Sequence, residues 1–122
     1  MKKTPTGQYM FLVRGSSCDG GAPSPEQMQV QMREVYAWIE SLSNQGIMTS
    51  AQPLTPEGRM VSGKNGSLVS DGIAAESKEA VGGFFIVHAA TMDAAVAIAR
   101  TCPAVDHGAR LEVRRIANLD CD

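Results

Sequence analysis

Tyr9-Met10-Phe11-Leu12-Val13 and Phe84-Phe85-Ile86-Val87 are the two runs on which the fold turns. A strand sends successive side chains to opposite faces, and in both runs the two alternating sets are apolar. A strand wet on one side would alternate apolar with polar, so the sheet built on these runs is expected to be covered on both faces.

Between the two runs lies a helix with clear punctuation. Ser24 suits the N-cap, Pro25 the first helical position, Glu26 the first turn, and Gln27 completes a Ser-x-x-Gln capping box. Met28, Met32, Val35, Ile39 and Leu42 then recur at helical spacing as one apolar stripe, and Gly46 marks the stop. Ile47–Ser50 reads as a short strand and 52–58, with two prolines, as an irregular connection. Arg59–Ser62 and Ser67–Ser70 flank Lys64-Asn65-Gly66, a hairpin signal. A charged loop over 71–80 leads into the strand Val81–His88. Thr91 caps an alanine-rich helix to Thr101, closed by Pro103; a loop over 102–108 and a last strand, Arg110–Ile116, follow.

Strand, helix, strand, hairpin, strand, helix, strand is an α+β order. It predicts a ferredoxin-like βαββαβ domain with an antiparallel sheet and an inserted hairpin. Two helices shelter only one face of such a sheet. The other is expected to meet a second copy, sheet against sheet, in a homodimer with a barrel-like interior. The competing arrangement folds the segment 52–80 over that face.

The chain has 122 residues, 43% of them hydrophobic and 20% charged. That is enough for one domain and too ordered a composition for a disordered chain. We divide it into a flexible N-terminus, 1–7, a domain, 8–117, and a C-terminal tail, 118–122. A net charge of −2 and 5% aromatic residues supply neither an electrostatic track nor a stacking platform for nucleic acid. No apolar run approaches the roughly 20 residues of a membrane span, and the run after Met1-Lys2-Lys3 is too short for a signal peptide, so a cytoplasmic, non-membrane protein is expected. Cys18, Cys102 and Cys121 are odd in number and widely spaced, which suits free thiols in a reducing compartment. Zinc-type spacings, phosphate-binding glycine loops and nucleophile elbows are absent from the sequence, so we expect no metal and no cofactor.

The residues able to carry chemistry are few. Asp71, Glu76, Lys78 and Glu79 form the densest ionisable cluster: either a loop presenting a general base with Lys78 steadying an anion, or a turn and a solvated loop. His107 is either a proton carrier facing a ligand or a loop-capping hydrogen-bond partner. Cys102, at the end of a helix, reads as a buried spacer rather than a nucleophile. His88 reads as a structural histidine. Arg14 would meet an anion or form an ordinary ion pair. Tyr36 and Trp38 wall a pocket or cover the sheet, and Gly82-Gly83 marks a bulge or a close backbone approach.

The ordered set Leu68-Val69-Ser70-Asp71-Gly72-Ile73-Ala74-Ala75-Glu76-Ser77-Lys78-Glu79, Val81-Gly82-Gly83-Phe84-Phe85-Ile86-Val87, Ala99-Arg100-Thr101-Cys102-Pro103, His107-Gly108 and Leu111-Glu112-Val113-Arg114 resembles the YCII-related family. In particular it resembles the subgroup marked by an Asp-Gly-Pro-Phe signature, with Ile73-Ala74 standing where the Pro-Phe would be. The first strand and Ser24-Pro25-Glu26 fit the family's opening. The resemblance implies a ferredoxin-like domain in a dimeric α/β barrel. It also implies a regulatory or stress context, since members of the subgroup are often encoded beside extracytoplasmic-function sigma factors. A His–Asp pair has been suspected as catalytic in YCII-like proteins; the first helix here has no histidine, so that half of the pair is not carried over.

The function expected from these readings is a small-molecule site with cofactor-independent proton transfer of an isomerase or lyase type. It would lie between the helix-covered sheet and the loops at 71–79 and 102–108. Asp71 and His107 would be its catalytic proton carriers, with Arg14, Glu76, Lys78 and Tyr36 binding the ligand. The alternative is a non-catalytic accessory protein in an extracytoplasmic-function sigma-factor system.

Overall fold

Gly7–Arg14 forms β1, the strand around which the sheet assembles. The computed structural model describes residues 7–14, 24–55, 57–71 and 81–117, with the side chain of Asp71 outside that description. After β1 come α1 (Pro25–Asn44), β2 (Met48–Pro53), β3 (Arg59–Ser62), β4 (Leu68–Asp71), β5 (Val81–Ala89), α2 (Met92–Ala99), α3 (Pro103–Asp106) and β6 (Arg110–Arg115). Four strands make one sheet in the order β2-β5-β1-β6, and β3 and β4 pair separately. Every pairing is antiparallel, with Phe11 opposite Phe85 and Val113 in the centre. This is the ferredoxin-like α+β arrangement, with β3–β4 as the inserted hairpin.

Alternation along the strands separates two faces. Tyr9 and Phe11 of β1, Phe85, Val87 and Ala89 of β5 and Met48 of β2 point to one side. There they pack with Leu42 of α1, Ala95 and Ala99 of α2, and Cys102. Trp38 closes this core: its ring meets Phe85 edge-on with centroids 5.1 Å apart, and its Nε1 donates to Thr101 Oγ1 at 2.7 Å. Met10 and Leu12, opposite Ile86 and Phe84, turn the other way and are only half-buried. A Cβ on Gly83 would sit 2.9 Å from the Gln52 carbonyl oxygen, so the glycine is what lets β2 and β5 approach so closely.

The two longer helices, α1 and α2, start as their sequences dictate. Ser24 Oγ accepts from the Gln27 amide while the Gln27 side chain accepts from the Ser24 amide, completing the capping box. Thr91 Oγ1 caps α2 by accepting from Ala94.

Four local differences from the sequence reading have physical causes. The second strand runs on to Pro53, because β2 is a sheet edge and an edge position asks no amide of proline. The segment 102–108 is not all loop: α2 ends at Ala99, and Pro103 starts the one-turn helix α3 with Cys102 as its N-cap. The apolar stripe of α1 is buried only in its second half. Val35, Ile39 and Leu42 reach the core, whereas Met28 and Met32 remain about half exposed because the first turns overhang the sheet beside α3. Finally, Asn65-Gly66 lies within a 3-10 turn rather than at a two-residue corner; both residues take positive φ, 59° and 70°, and the register closes at Ser62 opposite Leu68.

The hairpin does not lie over the open face: among the described elements β3 packs substantially only on β4 and its turn.

Candidate functional site

His107 caps the C-terminus of α3, and its ring reaches across to α1. Its Nε2 lies 3.0 Å from Glu34 Oε1. A carboxylate only accepts, so Nε2 carries the hydrogen in the neutral ring and Nδ1 is left as the basic nitrogen. The ring is about one-third exposed and the Glu34 side chain about half. Beside the pair is an open depression of about 400 Å³ lined by Glu26, Gln27, Val30, Gln31 and His107. An amide, an apolar wall and a histidine with a fixed tautomer thus share one surface.

On the opposite face of the sheet, Arg14 Nε donates to Glu112 Oε1 at 2.9 Å and Arg114 donates to Oε2 at 3.2 Å. The Arg14 guanidinium, and after it that of Arg114, hold the Glu112 carboxyl below the usual carboxylate range. Arg14 also stands opposite Arg110 in the β1–β6 register. Arg14, Arg110, Leu111 and Glu112 line a second open depression of about 480 Å³. A carboxylate already bridges the arginines here, so an incoming anion would have to compete with it.

Among the described site residues, Arg14 and His107 are not brought together. Arg14 and His107 lie on opposite faces of the sheet. Asp71 ends β4 opposite Arg59, with its side chain outside the described residues. Glu76 and Lys78 lie outside the described residues altogether. Tyr36 stands exposed on α1, and it is Trp38 that covers the sheet. His88 is half-buried on the open side of β5, opposite Gln8. Cys102 is 1% exposed, and burial pushes its thiol up against the weaker opposing pull of the Ala104 and Val105 amides. That makes it a packing residue. Among the described residues no three His, Cys, Asp or Glu side chains are grouped to hold a metal ion.

A profile of the YCII-related domain matches residues 8–119. The chain belongs to the YCII-related family. No curated protein matches it. Among the described residues of this YCII-related chain, no helix is long and apolar enough to cross a membrane.

Two partners escaped the sequence reading, and both had a signal. Gln27, Gln31 and Glu34 recur at spacings of four and three, a polar stripe flanking the apolar one on α1. In Leu111-Glu112-Val113-Arg114, alternation sets Glu112 and Arg114 on the face away from Leu111 and Val113, where Arg14 also points.

Proposed function

We propose that this YCII-related protein binds a small molecule in the depression beside His107 and moves a proton there without a cofactor, as a homodimer joined through its open sheet faces. The His107–Glu34 pair carries this reading. Glu34 accepts from Nε2 and orients the ring, which leaves Nδ1 to take a proton from a ligand and return it. Gln27 and Gln31 offer amides to a ligand's oxygen atoms, and Val30 gives it an apolar contact. In this scheme Asp71, at the end of β4, and Glu76 and Lys78, which follow it in sequence, are the further groups to be tested. Support for the dimer comes from Met10, Leu12, Phe84 and Ile86, apolar side chains gathered on the face that no described helix covers.

The test is a thermal-shift screen of small carboxylic and keto acids on wild-type protein, His107→Gln and Glu34→Gln. Each best hit is then followed by NMR for exchange of its acidic C–H in D2O. An exposed ion pair contributes at most about 1 kcal/mol, so both variants should melt close to wild type. A hit held at about 100 times its Kd stabilises the wild type by roughly 2.7 kcal/mol, and His107→Gln should lose most of that along with the exchange. Stabilisation without exchange, lost in His107→Gln, would leave a binding protein with no chemistry. An equal response in His107→Gln would overturn the site.

A further inference from the structure

The β3–β4 hairpin buries none of its residues from Arg59 to Ser70. Met60, Val61, Leu68 and Val69 are 49–61% exposed. Val61 faces Val69 across the ladder, while Met60 and Leu68 point to the other side, so the ribbon is apolar on both faces. A two-stranded ribbon alone in water is marginal at best. The edges of the main sheet are blunted, β2 by its irregular pairing between Met48 and Ser50 and by Pro53, β6 by Arg110, Glu112 and Arg114. The strands of the hairpin have no such protection between Met60 and Ser70.

We propose that the hairpin is a dimerisation arm that packs on a second copy of this chain; the inference rests on the homodimer read above and extends it. Three observations select that partner. The arm is rooted beside the open face, where Pro53 pairs with Gly83 and the Leu54 amide donates to Gly82. The interior of both strands is uncharged, which fits an apolar counterpart, and the exposed Met60, Val61, Leu68 and Val69 of another copy's arm, brought alongside by the sheet-to-sheet pairing, are one. The third is size. The open sheet face presents about a dozen residues, whereas a stable interface needs roughly 20–30 a side, and the two four-residue strands of the arm supply much of the difference.

Sedimentation velocity across micromolar dilutions, with near-UV circular dichroism of Trp38 as the check on folding, tests this on three proteins. Val61→Glu combined with Val69→Lys keeps the cross-strand pair attractive while charging the arm. Phe84→Glu charges the sheet face instead. Wild type is expected at twice the 12.9 kDa chain mass. The arm variant should weaken the dimer about 100-fold or more with its Trp38 signal unchanged. If the arm variant dimerises like wild type while Phe84→Glu is monomeric, the arm is overturned and the dimer stands. If the arm variant keeps the dimer mass but melts lower, the chain covers its own hairpin and the proposal fails. A monomeric wild type would overturn arm and dimer together.

Discussion

Within β1, Phe11 is fully buried while Met10 and Leu12, its immediate neighbours, stay half-exposed. The three residues share one backbone and similar hydrophobicity. What differs is the cover: α1 and α2 lie over one side of the sheet, and no described helix lies over the other. The same apolar sequence is therefore sealed on one side and half-open on the other, and the helices of the described structure account for the sealed side.

Truncating each side in turn gives the largest contrast. Phe11→Ala empties a closed site and should cost about 3–5 kcal/mol, a fall of roughly 10–20 °C in Tm. Leu12→Ala removes a half-buried side chain and should cost about 1 kcal/mol in the monomer. Its remaining effect should appear only at protein concentrations high enough for wild type to dimerise, so the gap to wild type should narrow on dilution, the mark of a weakened dimer. Equal losses that ignore dilution would break the comparison, because the open face would then already be closed within one chain.

The helix-covered side also sets the fate of Cys102. Serine there would bury a hydroxyl in place of a thiol, with an expected loss of about 1–3 kcal/mol. In a Cys18→Ser, Cys121→Ser background, Ellman's reagent at pH 8 should label Cys102 only as fast as the protein opens. The thiol is raised by burial, so its neutral form stabilises the fold. That contribution is complete below the unfolded thiol's pKa and disappears as pH climbs through the higher folded value. Rapid labelling of the folded protein would mean that this side is far less sealed than Phe11 suggests.

Much of the fold was legible because local signals and tertiary packing agree. The capping box at Ser24, the Thr91 cap and the alternation of the strands each name a structure on their own, and the sheet order follows from their succession. Periodicity could not say how far α1 stays over the sheet, since Met28 and Leu42 belong to the same stripe and only Leu42 is buried. The site was less legible for a related reason. His107 and Glu34 meet across 73 residues, and no spacing rule in sequence encodes a contact between the middle of one helix and the end of another. The sequence reading likewise gathered Arg14 with His107 as groups near strand and loop ends, but alternation along β1 turns Arg14 to the open face while α3 holds His107 against α1.

The smallest expected effect belongs to the polar border of the open face. Glu112 is accessible, and its two arginine partners keep it ionised to lower pH than an unfolded glutamate. Its contribution to stability is therefore present above the unfolded carboxyl's pKa and is lost as pH falls through the depressed folded value. Glu112→Gln removes the negative charge and leaves Arg14, Arg110 and Arg114 as neighbours, so it should lower Tm slightly at pH 7. The gap to wild type should then close on acidification through the carboxylate range, because wild type loses the same charge by protonation. Salt at about 1 M should narrow the gap at pH 7 as well, by screening both the attraction and the arginine repulsion. A gap that persists at low pH would show that Glu112 acts through packing rather than charge. The border of the open face would then be as much a part of the folded core as the side beneath the helices.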